Sequence, residues 1–523
     1  MPREFDTIVI GAGFAGMYML HRLRALGFTA LVVEAGEDVG GTWYWNRYPG
    51  ARCDVQSLEY SYSFSPEITR EWSWSERYAA QPEILRYARY VADRLNLIED
   101  IRFGTRVTAA GYDDGRWTVT TDDGDVLRAT YLITAVGCLS AANVPGLPGL
   151  DTFDGHWHHT GRWPHEGVDF TGKRVAVVGT GSSGIQVIPA IAEQAAHLTV
   201  FQRTPSFSTP AVNGPLDPAQ ERWFHDNRGR ARTSPGGFLI EYGDRSAFDV
   251  SPQERQAEFE RRWTQGGVGF LAGFYDLLLT EEANQLAADF VRDKIRALVT
   301  DPATAERLIP TGYPIGLKRL CLDTGYYPTY NRPNVTLVDL PVTEVVPTGI
   351  RTAEAAHEAE VIVFATGYDA ITGALLAMDI RGRDGLSLRD AWAAGPGSYL
   401  GLMSAGFPNL FTITGPGSPS VLTNMIVSIE QHVEWIAACL GDLRRDLGPR
   451  AVIEAGAGAE AAWMEHVREM AEFTLYAKSE SWYSGANIPG KPRVFLPYVG
   501  GLGNYRAKCD DVAARGYEGF IRT

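Results

Sequence analysis

Twelve residues from Phe153 to Pro164, FDGHWHHTGRWP, hold three His, two Trp and two Gly. Imidazole titrates near neutrality, and indole offers a broad apolar face with one polar tip. Such a stretch could move a proton or cover a ligand. It has neither helical nor strand periodicity, so it is expected to be a loop. It lies between two Gly-rich turns, GAGFAG at 11–16 and GTGSSG at 179–184. A loop joining two dinucleotide-binding units can touch both ligands; alternatively its aromatics pack under the next strand. Other candidates carry charge: Glu34, Arg52, Asp54, Arg203, and the adjacent cations Lys318 and Arg319 within GYPIGLKRLC. A lone pair of cations is ordinarily a solvated feature, but this one sits in an apolar surround.

The elements around these residues follow from the pattern. Asp6–Ile10 is a short apolar run, suited to a strand buried on both faces. Gly11, Gly13 and Gly16 follow, then helical spacing at Met17, Leu20, Leu23 and Leu26, then a strand over Ala30–Val33 ending at Glu34. This is the dinucleotide fingerprint: a tight turn, a helix N-terminus for the pyrophosphate, and an acid for ribose hydroxyls. The unit recurs as strand Lys173–Val178, turn Gly179, Thr180, Gly181, Ser182, Ser183 and Gly184, helix Ile185–Ala196 through Gln186, and strand His197–Phe201. Where the first unit has Glu34, the second has Arg203 and Thr204. An acid there repels a 2′-phosphate and an Arg pairs with it. The two sites therefore read as FAD first and NADPH second, unless Arg203 is only a solvated surface residue.

A second glycine pair, Gly40-Gly41, opens GGTWYWNRYPGARCD after the ribose acid, as is typical of FAD sites. A helix is expected over Gln81–Leu97, strands over Arg102–Val107, Trp117–Thr121 and Val126–Ala129, and a further strand in Tyr131–Gly137. VPGLP at 144–148 reads as the exit from the first domain. Residues 215–310 lose the strand–helix alternation, and helices are expected over Pro218–Asn227, Pro252–Gln265, Phe270–Leu279 and Glu281–Leu298. Strands Val335–Val338 and Val361–Thr366 lead back to the first domain. A Gly/Pro loop at 415–419 opens a helix from about Leu422. The aromatic loop Trp482–Gly501 is either mobile or statically packed.

The totals set limits. At 523 residues the chain exceeds one ordinary domain. A net charge of −15 disfavours nucleic acid and anionic lipid as partners. Five scattered Cys (53, 138, 321, 439, 509) without a CxxC pair argue against a disulfide framework, a metal site or a dithiol reductase. The start, Met1-Pro2-Arg3-Glu4-Phe5-Asp6, does not resemble a leader peptide, and no apolar run approaches a membrane span. A soluble cytoplasmic enzyme, monomeric or weakly oligomeric, is expected.

Phe153, Gly155, His159, Trp163 and Pro164 match F-x-G-x-x-x-H-x-x-x-W-P. On this run, and on GGTW…RCD, the chain resembles the type I Baeyer–Villiger monooxygenases, class B flavoprotein monooxygenases. The resemblance covers essentially the whole chain and lies nearest the phenylacetone and steroid monooxygenase branch. It implies an α/β fold of two Rossmann-like domains for FAD and NADPH, with a helical insert at 215–310. The FAD domain would comprise 1–140 and 372–523, and the NADPH domain 141–371. It implies NADPH-driven insertion of one oxygen of dioxygen beside a ketone carbonyl, through a C(4a)-peroxyflavin, giving an ester or lactone. Gly41, Thr42, Trp43, Tyr44, Trp45, Arg52, Asp54, Tyr60, Val107 and Met425 would adjoin FAD. Gly179 to Gln186, including Ile185, together with Arg203, Thr204, Lys318 and Trp482, would serve NADPH. Arg319 would face the flavin as the catalytic cation, anchored by Asp54. His159 would act as an acid or base, or brace the loop between domains. Ser420, Val421 and Trp482 would line a roomy aryl or polycyclic ketone site. A flavin N- or S-oxygenase is the alternative, disfavoured by Trp163-Pro164.

Overall fold

The computed structural model describes residues 3–523. Met1 and Pro2, part of the leader reading, lie outside the described residues. The first strand is longer than its apolar run, Arg3–Ile10, and only its C-terminal half is buried. It is the centre of an eight-stranded sheet. It pairs in parallel with Ala30–Val33 on one side and with Val126–Thr134 on the other. The expected strands at 126–129 and 131–137 are thus one nine-residue strand. Its first half pairs antiparallel with Arg116–Thr121, and its second half, buried throughout, also pairs with Leu410–Thr412. The strand expected at 102–107 divides into Ile101–Arg102, beside Ala30–Val33, and Val107–Asp113, beside Arg116–Thr121. Asp379–Arg381 closes the far edge.

A second, five-stranded sheet is parallel throughout. Arg174–Val178 lies between His197–Phe201 and Val361–Phe364, with Val335–Val338 outermost on one side. The other edge corrects an expectation. His156–His159, inside the aromatic stretch expected to be a loop, is a strand paired in parallel with Val361–Phe364. Its side chains pass from exposed at His156 to buried at His159, so no alternation marks it. Its partner is some 200 residues away, and backbone pairing rather than side-chain pattern holds it. Gly155 is required at the entry: a Cβ there would sit 2.3 Å from the Glu360 carbonyl.

The insert contains helices Pro218–Asn227, Pro252–Gln265 and Glu281–Leu298 as expected. Each starts on a side-chain cap: Asp217, Ser251 in a capping box with Glu254, and Thr280. The helix expected over Phe270–Leu279 is instead a 3-10 turn at Phe270–Ala272 followed by bends. Gly269 and Gly273 flank it, and Phe270 and Phe274 serve as anchors around Phe259 rather than as a helical face. Met425–Leu447, capped by Asn424, is the long central helix, and it packs along the first nucleotide helix, Phe14–Ala25. Among the described residues no helix is long and apolar enough to cross a membrane.

Candidate functional site

The first turn is closed by backbone contact. Gly11 adopts φ +104°, and a Cβ there would lie 2.6 Å from the Ala135 carbonyl; one on Gly16 would lie 1.8 Å from the Gly11 carbonyl. Helix Phe14–Ala25 begins at Gly13 with no side-chain cap, which leaves its first N–H groups for a ligand. Gly41, at φ +52°, packs its backbone on Gly13, where a Cβ would come within 2.9 Å of the Gly13 Cα. Glu34 is 5% exposed. Its two oxygens accept from Ala12 N at 2.6 Å and Gly36 N at 2.7 Å. Burial raises its pKa, opposed by those backbone donors. Such a carboxylate is fixed in place beside the turn, where ribose hydroxyls can reach its free lone pairs. An uncapped helix start, a glycine cradle and a pinned acid fit an adenine dinucleotide without a 2′-phosphate.

The second turn repeats the geometry. Gly179, at φ +110°, abuts the Ala365 carbonyl, and Gly184 abuts the Gly179 carbonyl. Helix Ser182–Ala192 starts at Gly181, again without a side-chain cap. Gly184 and Ile185 are buried behind it. Thr180 donates to the Thr204 carbonyl at 3.1 Å. Arg203 is exposed, with no ion pair among the described residues. Lys318 lies with its ammonium 4.5 Å from the Tyr313 ring centroid. Burial, reinforced by Arg203, lowers the Lys318 pKa. The fold therefore brings two cations from distant segments together at the end of the second nucleotide strand. That is an arrangement for a phosphate dianion, and it fits a 2′-phosphorylated dinucleotide.

An ion pair ties the segment after the first turn to one 265 residues further on. Arg319 Nε and Nη2 donate to the same oxygen of Asp54, at 2.9 and 2.6 Å. Nη1 donates to the Val421 carbonyl at 3.1 Å. The side chains are 24% and 25% exposed. Burial opposes the Arg319 charge, but the Asp54 carboxylate outweighs it and holds the pKa above the ordinary value. Three of the five N–H bonds are used, which leaves two for a ligand.

The other expected residues take varied positions. Trp43 donates its indole N–H to Tyr60 Oη at 3.1 Å. Tyr44 lies edge-on to Trp45 and under the Arg47 guanidinium. Thr42 opens the short helix Thr42–Trp45, and Val107 is buried at the start of its strand. Arg52 is engaged elsewhere: it pairs with Glu76 at 2.7 Å and donates to the Tyr78 carbonyl. Gln186 is also committed, to Arg52 and Tyr48. Val421, Met425 and Trp482 share one apolar cluster with Tyr483 and Leu496, so the fold does gather the loop at 420 with the C-terminal loop. Ser420 is 1% exposed, and its hydroxyl meets Cys138 Sγ at 3.2 Å, in the wall behind that cluster.

His159 is 1% exposed, and its Nδ1 accepts from Gly161 N at 2.9 Å. Burial, helped by Arg162, pulls its pKa to about 4, so the ring is neutral. Its ring meets Tyr368 edge-on at 6.1 Å. Tyr368 is a residue that sequence reasoning missed. It follows the Ala365-Thr366-Gly367 crossing; its hydroxyl donates to Asn46, and its carbonyl accepts from Asn487 at 2.7 Å. The aromatic strand, the segment at Asn46 and the C-terminal loop thus meet on one residue. Lys491 adds an ion pair to Asp369. Nothing in the sequence marks Tyr368 except its place after the ATG turn.

Two nucleotide turns with opposite charge at the ribose end, and a half-buried Arg–Asp pair that ties together the segments following them, define a flavoprotein that takes a nicotinamide coenzyme. All five cysteines are unpaired and buried, so the chemistry of a dithiol reductase has no reagent here. The sequence profile described as pyridine nucleotide-disulphide oxidoreductase matches residues 8–227, which span both turns. A Baeyer–Villiger monooxygenase of Pseudooceanicola batsensis is 44% identical, over 99% of this chain and 96% of its own. Among solved structures, an oxidized steroid monooxygenase bound to NADP is 52% identical, with a TM-score of 0.94 and 99% of each chain covered. OTEMO in complex with FAD and NADP is 43% identical, with a TM-score of 0.95 and 100% of each chain covered. The chain belongs to the Baeyer–Villiger monooxygenase family.

Proposed function

We propose that this chain is an FAD- and NADPH-dependent monooxygenase that converts a ketone, dioxygen, NADPH and a proton to an ester or lactone, water and NADP+. The observation that carries the reading is the Arg319–Asp54 pair, which ties the segment after the first nucleotide turn to one from the middle of the chain. FAD, when bound and reduced by NADPH, supplies the electrons that activate dioxygen. Gly11, Gly13, Gly16, Glu34 and Gly41 hold it at the first turn. Gly179, Gly181, Ser182, Ser183, Arg203, Thr204 and Lys318 hold NADPH at the second. Arg319 never deprotonates, so its two unused N–H bonds meet negative charge that develops on the ketone oxygen. Asp54 fixes the guanidinium so that no reorganisation accompanies the reaction. Val421, Met425 and Trp482 provide an apolar wall that orients the ketone and excludes water. His159 acts as a brace rather than an acid or base: its ring is buried and neutral, Nδ1 accepts from Gly161 N, its ring packs edge-on to Tyr368, and Nε2 has no hydrogen-bond partner among the described residues.

We further propose domain limits of 1–140 plus 372–523 for FAD and 141–371 for NADPH. The composition of the two sheets supports them: the eight-stranded sheet draws on both flanks, and the five-stranded sheet on the middle alone. The test is to incubate purified holoenzyme with NADPH, dioxygen and a panel of linear, cyclic and aryl ketones, tertiary amines and sulfides. Ester, N-oxide, sulfoxide and hydrogen peroxide are all quantified. Ester from a ketone is expected to dominate. Amine or sulfide oxygenation with no ester would overturn the reading in favour of an N- or S-oxygenase.

A further inference from the structure

The helix Ser182–Ala192 is assigned by its position to the coenzyme, but two of its side chains point elsewhere. Gln186 Oε1 accepts from Tyr48 Oη at 2.8 Å and from Arg52 N at 3.3 Å. Its Nε2 donates to the Arg52 carbonyl at 2.9 Å. One amide thus satisfies both backbone groups of a single residue, as a neighbouring β-strand would. Between these anchors Gly50 lies flat on the helix: at φ +83°, a Cβ would sit 2.4 Å from the Gln186 carbonyl and 3.5 Å from Ala190 Cβ. Asp54 follows two residues after Arg52. On the first turn of the same helix, Ser182 Oγ meets Cys321 Sγ at 3.1 Å, and Cys321 Sγ donates to the Arg319 carbonyl at 3.3 Å. Cys321 follows Arg319 by two residues.

We propose that this helix is the jig for the Arg319–Asp54 pair, and that Gln186 is a positioning residue for it rather than a coenzyme ligand. The two partners come from chain segments 265 residues apart. Each is tethered, through a residue two positions away, to the same two turns of helix. A side chain hydrogen-bonded to both N–H and C=O of one residue fixes both the translation and the tilt of that peptide plane. A displacement of about 1 Å at a reacting centre can cost on the order of 100-fold in rate. The same tether makes the seating of a coenzyme on this helix felt at the ion pair. The catalytic consequence rests on the function proposed above; the structural tether does not.

The experiment uses FAD-loaded enzyme carrying Gln186→Met, which keeps volume and removes both hydrogen-bonding functions, and Gln186→Glu. Hydrogen exchange is followed by mass spectrometry without coenzyme or ketone. Gln186→Met should exchange about tenfold faster in residues 50–56, with the remaining chain at the parent rate. Turnover then reads the consequence. Gln186→Met should divert NADPH oxidation from ester to hydrogen peroxide about tenfold, with KM for NADPH within about twofold of the parent. In Gln186→Glu the ester yield should recover as pH falls from 8.5 to 5.5. A protonated carboxyl presents one acceptor and one donor, as the amide does. A purely structural role would not generate that pH dependence. Unchanged exchange at 50–56, or a KM for NADPH raised tenfold with ester yield intact, overturns the proposal. If exchange rises while parent enzyme yields no ester from any ketone, the tether stands and the function proposed for the site falls.

Discussion

Replacing Arg319 with Ala separates binding from chemistry. In the structure the guanidinium gives two N–H bonds to one Asp54 oxygen and one to the Val421 carbonyl. Two remain unengaged within the protein. Removing one preorganised donor from a developing anion costs about 10²–10³ in rate, or about 2.7–4 kcal/mol; here the charge goes too. The pair is about one-quarter exposed, so folding should lose less than the about 3–5 kcal/mol of a fully buried pair. Arg319→Ala should therefore fold, hold FAD and oxidise NADPH slowly, with ester formation down at least about 100-fold and hydrogen peroxide as the main product. Arg319→Lys should recover little. One ammonium on a flexible stem cannot hold Asp54 through two N–H bonds, reach Val421 and still point two donors at a ligand. The assay is NADPH consumption with ester and peroxide quantified in the same sample. Ester formation by Arg319→Ala near the parent rate would refute the assignment of the catalytic cation.

Three further outcomes follow from other parts of the structure. Arg203→Ala should weaken NADPH use by roughly 10- to 150-fold, as expected for a charge-assisted contact of about 1.5–3 kcal/mol, and leave NADH use unchanged; equal losses with both coenzymes would make Arg203 a structural residue. His159 and His432 are buried neutral rings whose pKa values burial pulls to about 4 and about 3. The unfolded chain, with His near 6.5, binds more protons in that window, so stability present above about pH 6.5 is lost as pH falls towards those values. His159 alone contributes on the order of 3 kcal/mol to that loss; His159→Gln should flatten the melting-temperature profile between pH 6.5 and 4, and an unaltered slope would contradict the assignment. Gly50→Ala forces a Cβ into the Gln186 carbonyl at φ +83° and should destabilise the fold by about 1–3 kcal/mol, read by denaturant unfolding; parent-like unfolding would show that the loop does not lie flat on the helix.

Local pattern made the nucleotide turns and three helices of the insert legible, because glycine positions and hydrophobic spacing are short-range signals. The contrast of Glu34 with Arg203 is legible as charge, since one position in each unit carries it; the structure pins Glu34 by backbone donors and leaves Arg203 exposed. The aromatic strand His156–His159 was not, because its pairing with Val361–Phe364 is a backbone event between distant segments and its outer edge is solvated. Phe270–Leu279 misled because aromatic residues at helical spacing also suit a knot of anchors around Phe259. At the site, residue types indicated Arg319 and Asp54, but not the Val421 carbonyl, the Gln186 tether or the Tyr368 junction. Those rest on main-chain atoms and on side chains with no chemistry of their own, so no residue type advertises them.

On the proposed reaction, this chain places one atom of dioxygen between a ketone carbonyl and its neighbouring carbon. Turnover under ¹⁸O-labelled dioxygen, with unlabelled water and ketone, tests it most directly. Mass spectrometry of the ester and of its hydrolysis fragments locates the label. The account predicts one ¹⁸O per ester, in the bridging alkoxy position, with the original ketone oxygen retained as the carbonyl. Unlabelled ester, label confined to hydrogen peroxide and water, or label only on nitrogen or sulfur of a competing substrate would contradict it.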